Sequence, residues 1–131
     1  MPCVIADESD IVIGYYTYAD DQWAIVQFKK CYAYSSGVPN DETIHGHPLY
    51  ERGLESYERY EITNSPWIAA YERVNSVHDM YKPDKINSKR HIIFTFHDSI
   101  FECICKGYTY EIIDPEKTNP LDRMLEVWKA N

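Results

Sequence analysis

Residues 91 to 113, HIIFTFHDSIFECICKGYTYEII, constrain the fold of this chain more than any other stretch. β-branched and aromatic residues dominate it, and they are the residues that favour strands. Asp98-Ser99 and Lys106-Gly107 interrupt the run at positions suited to two-residue hairpin turns. The stretch therefore predicts three antiparallel strands joined by two hairpins.

Antiparallel pairing across those turns sorts the side chains into two faces, because directly opposed residues share a face. Phe96 is predicted opposite Phe101, and Cys105 opposite Tyr108. The face that we expect to be core contains Ile92, Phe94, Phe96, Phe101, Cys103, Cys105, Tyr108, Tyr110 and Ile112. Glu102 and Glu111 are predicted to oppose each other on the second, mixed face.

A further hairpin is predicted over residues 10 to 34, where two strand-like runs flank Asp20-Asp21. Pairing across a two-residue loop places Ala19 opposite Gln22 and Ile13 opposite Phe28. One face of this hairpin is then apolar. The other is unusually aromatic for a solvated surface, so we expect a helix or a partner to cover it.

Two helices, at about 66–79 and 120–130, have matching start signals. Ser65 and Asn119 can each cap a helix, and the proline that follows each one suits the first helical position. The apolar stripes expected at helical spacing are Trp67, Ala70, Tyr71, Val74 and Val77, and Leu121, Met124, Leu125 and Trp128. Residues 1–131 are thus predicted to form one α+β domain, in which an antiparallel sheet of about five strands carries helices on one face.

Composition restricts the classes of function. The formal net charge of -8 argues against binding to nucleic acid, and it suits a basic protein partner. No apolar run approaches ~18 residues and the start of the chain lacks a signal peptide, so we predict a cytoplasmic protein without a membrane segment. Four cysteines are too few for a disulfide scaffold, and Cys103 and Cys105 are expected to be buried free thiols.

Candidate catalytic groups are sparse. His45 and His47 form an H-x-H pair without further ligands at recognisable spacing, so no metal site and no cofactor are predicted. His97, Asp98 and Ser99 are contiguous, whereas the members of a catalytic triad come from separate segments. An alternative keeps His97 as a general base, in one pocket with Glu102 and with His47 from the loop at 35–55.

The segment from 46 to 67 concentrates aromatic, glycine and charged residues. It indicates either a recognition surface or a structured loop whose Leu49, Tyr50 and Leu54 cover the edge of the sheet. In the first interpretation Arg52 would bind an anion. The predicted binding residues are His47, Tyr50, Arg52, Tyr57, Tyr60 and Trp67.

The motifs GHPLY, GL, NS-x-WI and HIIFTFHDSIFEC, spread over about residues 38 to 105, resemble those of a family of small uncharacterised bacterial proteins. The resemblance implies a bacterial cytosolic origin and carries over no catalytic residue. Small acidic bacterial proteins also include immunity proteins that neutralise secreted toxins, which is an analogy of size and charge alone.

Three hypotheses follow. The first is a non-enzymatic binding protein, of the kind of an immunity protein that blocks a basic toxin domain. The second is a small hydrolase or ligand-binding protein with a pocket around His47, His97 and Glu102. The third is a homodimer that associates through its exposed aromatic face.

Overall fold

The computed structural model describes residues 2–83 and 88–130, and these fold into two four-stranded antiparallel sheets with two α-helices. The first sheet has the strand order β1 (Cys3–Ala6), β2 (Ile11–Thr17), β3 (Gln22–Lys29) and β8 (Gly107–Ile113). The second sheet has the order β4 (Ala33–Gly37), β7 (Ile100–Cys105), β6 (Arg90–Thr95) and β5 (Arg59–Ile62). The predicted α+β class is confirmed, with eight strands in the described ranges instead of about five.

Two of the three predicted hairpins form, β2–β3 and β6–β7, each with a four-residue loop instead of a two-residue loop. In β2–β3 the last pair is Thr17 and Gln22, and in β6–β7 it is Thr95 and Ile100. The predicted registers, such as Phe96 opposite Phe101, were therefore wrong by two residues. Because the side-chain period of a strand is two, this error left every residue on its predicted face.

β8 does not pair with β7, so the predicted three-stranded meander is wrong in its last strand. The amide of Lys106 donates to the carbonyl of Lys29 over 2.9 Å, and β8 then pairs with β3, where Tyr108 lies opposite Phe28. Gly107 lacks the left-handed φ that a two-residue turn needs. An apolar face shows which side of a strand is buried, but it does not show which strand lies beside it. Both β3 and β7 have an apolar face that suits β8, so the pattern could not decide between them.

The core lies between the two sheets. Its buried residues are Ile11, Ile13, Val26, Phe28, Cys31, Ile92, Phe94, Phe101, Cys103 and Cys105. The rings of Phe28 and Phe101 come from opposite sheets, and their centroids lie 5.2 Å apart. Cys103 and Cys105 are buried free thiols, as predicted.

Different elements cover the two outer faces. Helix α2 (Pro120–Lys129) packs Met124 against Val12 and Ile25 of the first sheet. Residues 38–58 cover the second sheet, where Ile44 and Leu54 pack in one cluster with Ile93 and Ile100. The predicted arrangement of helices on one face of one sheet is replaced by a sandwich, with α2 outside the first sheet and the loop together with the other helix, residues Pro66–Asn75, outside the second.

The predicted helix starts are confirmed. The hydroxyl of Ser65 accepts a hydrogen bond from the amide of Ile68 over 3.1 Å, and the side chain of Asn119 caps α2 in the same way. Helix α1 (Pro66–Asn75) ends before the predicted position 79. Val74 and Val77, placed on its apolar stripe by spacing, are 72% and 86% exposed.

Gly14 lies in β2 beneath α2, where a Cβ atom would overlap the sulfur of Met124. We expect Gly14→Ala to lower the free energy of unfolding by about 1–3 kcal/mol, because a well-packed contact cannot take another methyl without displacement. Urea unfolding measures the change. Gly46→Ala is the matched control, since no atom lies within 4 Å of its Cβ position. Equal stabilities of the two variants would contradict this account of α2.

Candidate functional site

A cavity of about 500 Å³ opens at one end of the sandwich. It lies between the β2–β3 loop, the start of β5 and the β6–β7 loop. Its lining residues are Tyr15, Tyr16, Thr17, Tyr18, Ala19, Tyr57, Glu58, Arg59, Phe94, Thr95, Phe96 and His97. Aromatic rings therefore form most of its walls.

The walls of the cavity are formed by residues at one end of the core that lies between the two sheets. Alternation places Tyr15 on the inner face of β2, and Phe94 and Phe96 on the inner face that faces it. The ring centroid of Tyr15 lies 5.0 Å from that of Phe96 and 6.2 Å from that of Phe94, both edge to face. Tyr15 and Phe96 are only partly buried, so the apolar layer that is closed around Phe28 is open here.

Three polar side chains meet at the rim. Oδ2 of Asp41 lies 2.7 Å from Nδ1 of His97 and accepts a hydrogen bond of 2.7 Å from the hydroxyl of Tyr57. The ring of Tyr57 stacks on that of His97 at 6.3 Å between centroids and 13° between planes. The amide of Asp41 also donates to the carbonyl of His97 over 2.9 Å. The cluster thus brings together residues that are distant in sequence, since Tyr57 is 16 positions and His97 is 56 positions from Asp41.

The backbone around Tyr57 is held by Thr95. The buried hydroxyl of Thr95 donates to the carbonyl of Glu55 over 2.7 Å and accepts from the amide of Glu58 over 2.8 Å. Tyr57 itself has φ of 62°, a left-handed conformation that costs a non-glycine residue about 1–2 kcal/mol. Such a residue persists only where its surroundings fix it, and here they direct its ring to the cavity.

The electrostatics of the rim follow from these contacts. Hydrogen bonds from Tyr57 and His97 lower the pKa of Asp41. The hydrogen bond to Asp41 and its negative charge raise the pKa of His97, and the same carboxylate raises the pKa of Tyr57. With Nδ1 held by Asp41, Nε2 is the other nitrogen of His97, and it forms a longer ion pair of 3.8 Å with Asp98. A histidine oriented in this way can bind an acceptor or exchange a proton.

The structure divides the predicted site residues among several places. Tyr57 and His97 line the cavity. Arg52 and Tyr60 line a separate hollow of about 530 Å³. Nδ1 of His47 accepts a hydrogen bond from the amide of Leu49, and Tyr50 packs edge-on against His45. The cavity that contains His97 is lined by neither His47 nor Glu102.

Glu102 belongs to a different group, a partly buried chain of hydrogen bonds that runs through His91 to Ser65. Oε2 of Glu102 lies 2.9 Å from Nε2 of His91, and Nδ1 of His91 lies 2.7 Å from the hydroxyl of Ser65. The residue types are those of a nucleophilic triad, but Ser65 is only 6% exposed and its oxygen caps α1. Trp67 packs edge-on against His91. This chain fixes α1 to the second sheet.

Glu111 is remote from Glu102, so the predicted facing carboxylates were wrong. Glu111 lies opposite Ile25 in the first sheet and accepts hydrogen bonds from the guanidinium of Arg123 at 2.8 and 3.1 Å. The reason is the strand exchange at Lys106. Each carboxylate has its own basic partner.

Sequence reasoning did not include Asp41, Tyr15 and Arg59 among the site residues. Tyr15 was assigned correctly to the inner face of its hairpin, but the position at which that face stops being covered depends on both sheets. Asp41 lies among several acidic and polar residues of one loop, and nothing in the local pattern separates it from Glu42. The position of Arg59 at the cavity is visible only when the pairing of β5 with β6, which sets Arg59 opposite Phe94, is known.

In residues 2–83 and 88–130, no three histidine, cysteine or carboxylate side chains are grouped so that they could hold a metal ion. No helix in the same ranges is long and apolar enough to cross a membrane. Comparison with protein-family models, with curated proteins and with solved structures found no match.

The contact between Asp41 and His97 at the rim should stabilise the fold in a way that depends on pH. The stabilisation that raises the pKa of His97 is present at low pH and is lost as pH rises through the folded value. The stabilisation that lowers the pKa of Asp41 is present at neutral pH and is lost as pH falls through the folded value. The contact should therefore be strongest between the ordinary pKa values of 3.8 and 6.5.

We expect Asp41→Asn to return the pKa of His97 toward 6.5, because it removes the largest cause of the increase. NMR titration of the histidine ring carbons measures this. Asp98→Asn is the matched control, since Asp98 contributes only its charge and should lower the pKa of His97 less. A larger effect at Asp98 would show that Nδ1 is not held by Asp41.

Proposed function

We propose that the protein is a binding protein for a small molecule with an aromatic or other flat apolar body, held in the cavity at the open end of the sandwich. The observation that supports this is the lining, in which Tyr15, Tyr18, Tyr57, Phe94 and Phe96 surround a volume of about 500 Å³. Small-molecule sites have volumes of roughly 300–1,000 Å³, mostly apolar walls and a few placed polar groups.

The walls suit a flat ligand because aromatic rings pack best edge to face or offset. Tyr15 and Phe96 already make such an edge contact with each other, and Tyr18, at 77% exposed, lies at the mouth. The cluster of Asp41, Tyr57 and His97 adds fixed polar groups at one side. Such groups orient a ligand whose body is held by apolar contact.

Filling the mouth should block binding. We expect Ala19→Trp to weaken the binding of neutral N-phenylnaphthylamine at least about tenfold, the equivalent of about 1.4 kcal/mol, because the indole would occupy part of the cavity. Fluorescence titration measures the dissociation constant.

The matched control is Ala130→Trp, which adds the same ring at an exposed position at the end of α2. Circular dichroism checks that both variants fold. Unchanged affinity in Ala19→Trp would show that the probe binds elsewhere, and no binding to the native chain would oppose the proposed function.

A basic protein partner is a second proposal, supported by the net charge of -8 and by exposed tyrosines such as Tyr18, Tyr34 and Tyr110. In this proposal the protein lies in the bacterial cytoplasm and blocks a toxin domain, as an immunity protein does. Self-association into a homodimer is the competing hypothesis. Electrostatic steering would make such binding fast and salt-dependent.

Native mass spectrometry of complexes captured from the source cell, at low and high salt, tests this second proposal. The expected result is a basic protein at equal stoichiometry that is lost as salt rises. A bare monomer at low salt would count against it, and a bare dimer would favour self-association.

The hydrolase alternative has one contact in its favour, the carboxylate of Asp41 on Nδ1 of His97, which leaves Nε2 as the proton acceptor. The other two groups it named, His47 and Glu102, make hydrogen bonds to Leu49 and His91 instead. The geometry thus supports binding better than catalysis.

A further inference from the structure

Among the described residues Arg59, like Arg52 and Arg73, has no acidic partner, whereas Arg90 and Arg123 each have one or more. Arg90 makes two hydrogen bonds of 2.8 Å to the carboxylate of Glu61, and Arg123 is held by Glu111 and Glu126. Within residues 2–83 and 88–130, no ion pair or hydrogen bond involves the guanidinium of Arg59.

The position of Arg59 is fixed by rings. Its guanidinium carbon lies 5.5 Å from the ring centroid of Tyr108, in cation–π contact. Its charge also acts on the hydroxyl of Tyr15, whose pKa it lowers against the larger raising effect of burial. Arg59 therefore lies between an inward-facing residue of β2 and one of β8, at the start of β5.

This position is inside the proposed binding site. Arg59 lines the cavity of about 500 Å³ and also an adjoining one of about 260 Å³. The two cavities share Tyr15, Thr17, Arg59 and Phe94, so they adjoin at Arg59 and together form one groove. The second cavity extends the groove along β8 to the exposed side chains of Tyr110 and Ile112.

We propose that Arg59 binds the anionic group of the ligand, and that the ligand class is flat aromatic molecules with one carboxylate or sulfonate. This inference rests on the proposed function. A guanidinium presents a planar set of donors that matches the oxygens of such groups, and the surrounding rings provide the apolar contact for the remainder. Glu58 in the same lining disfavours molecules with several negative charges.

The sequence placed anion recognition at Arg52, which lines the separate hollow of about 530 Å³ with Leu49, Leu54 and Tyr60. That assignment came from the composition of the segment alone. The structure instead places Arg59 among the rings that a flat ligand needs. The two arginines therefore make a direct comparison possible.

The test uses two probes that share one ring system, anilinonaphthalene sulfonate and neutral N-phenylnaphthylamine. We expect the native chain to bind the sulfonate more tightly than the neutral probe. Arg59→Gln should weaken binding of the sulfonate at least about tenfold and change the neutral probe less than about twofold, because only the charged contact is removed. Arg52→Gln, the matched control, should change neither.

The outcomes separate this inference from the proposed function. If the neutral probe binds in the cavity and Arg59→Gln weakens both probes equally or neither, the ligand is not recognised by its charge and the inference fails while the proposed function stands. If Arg52→Gln removes the preference for the sulfonate, the anion site is the other hollow. If neither probe binds the native chain, both proposals fail. Urea unfolding of Arg59→Gln checks that the loss of the Tyr108 contact leaves the chain folded.

Discussion

The packing of one sheet on the other around Phe28 and Phe101 is the contact on which the rest of the structure depends. Four-stranded sheets of this length have no other large apolar partner for their inner faces, and burial of such rings contributes roughly 1.5–3 kcal/mol each. The chain joins the sheets twice, before β4 and after β7. The second connection, at Lys106, takes β8 to the first sheet, so that β4 and not β8 pairs with β7 in the second.

The open end of the sandwich is a consequence of this arrangement. Around Phe28 the inner faces are closed by residues from four central strands, and the side chains there are 0–5% exposed. Toward the loops the same inner faces continue through Tyr15 and Phe96, which are only partly buried, and β5 begins at Arg59, opposite Phe94. Aromatic side chains that began as core residues thereby become the walls of a cavity. The proposed binding site therefore needs no separate scaffold.

The sequence predicted correctly which face of a strand is buried, but it did not predict correctly which strands pair with each other. Alternation assigned the inner residues of both hairpins correctly although each register was wrong by two, because an even shift keeps the faces. It also assigned Ser65 and Asn119 as caps, since capping depends on a few adjacent residues. Which strand lies beside β8, and where the inner layer opens, depend on contacts between distant segments. The same limit explains why the predicted binding residues did not include Asp41 and Arg59, which lie with Tyr57 at the cavity only in the folded chain.

Polar residues of the mixed face attach the loop at 38–58 to the hairpin that lines the cavity. On β6 and the loop after it, Thr95 holds the backbone of Glu55 and Glu58, and His97 holds Asp41. The loop is thus fixed to this hairpin near both of its ends, while Ile44 and Leu54 between them are buried against the second sheet. Because Tyr57 and His97 also line the cavity, a ligand that moves either ring must act on contacts that hold the loop. Occupancy of the cavity and packing of the loop are therefore linked through the same two side chains.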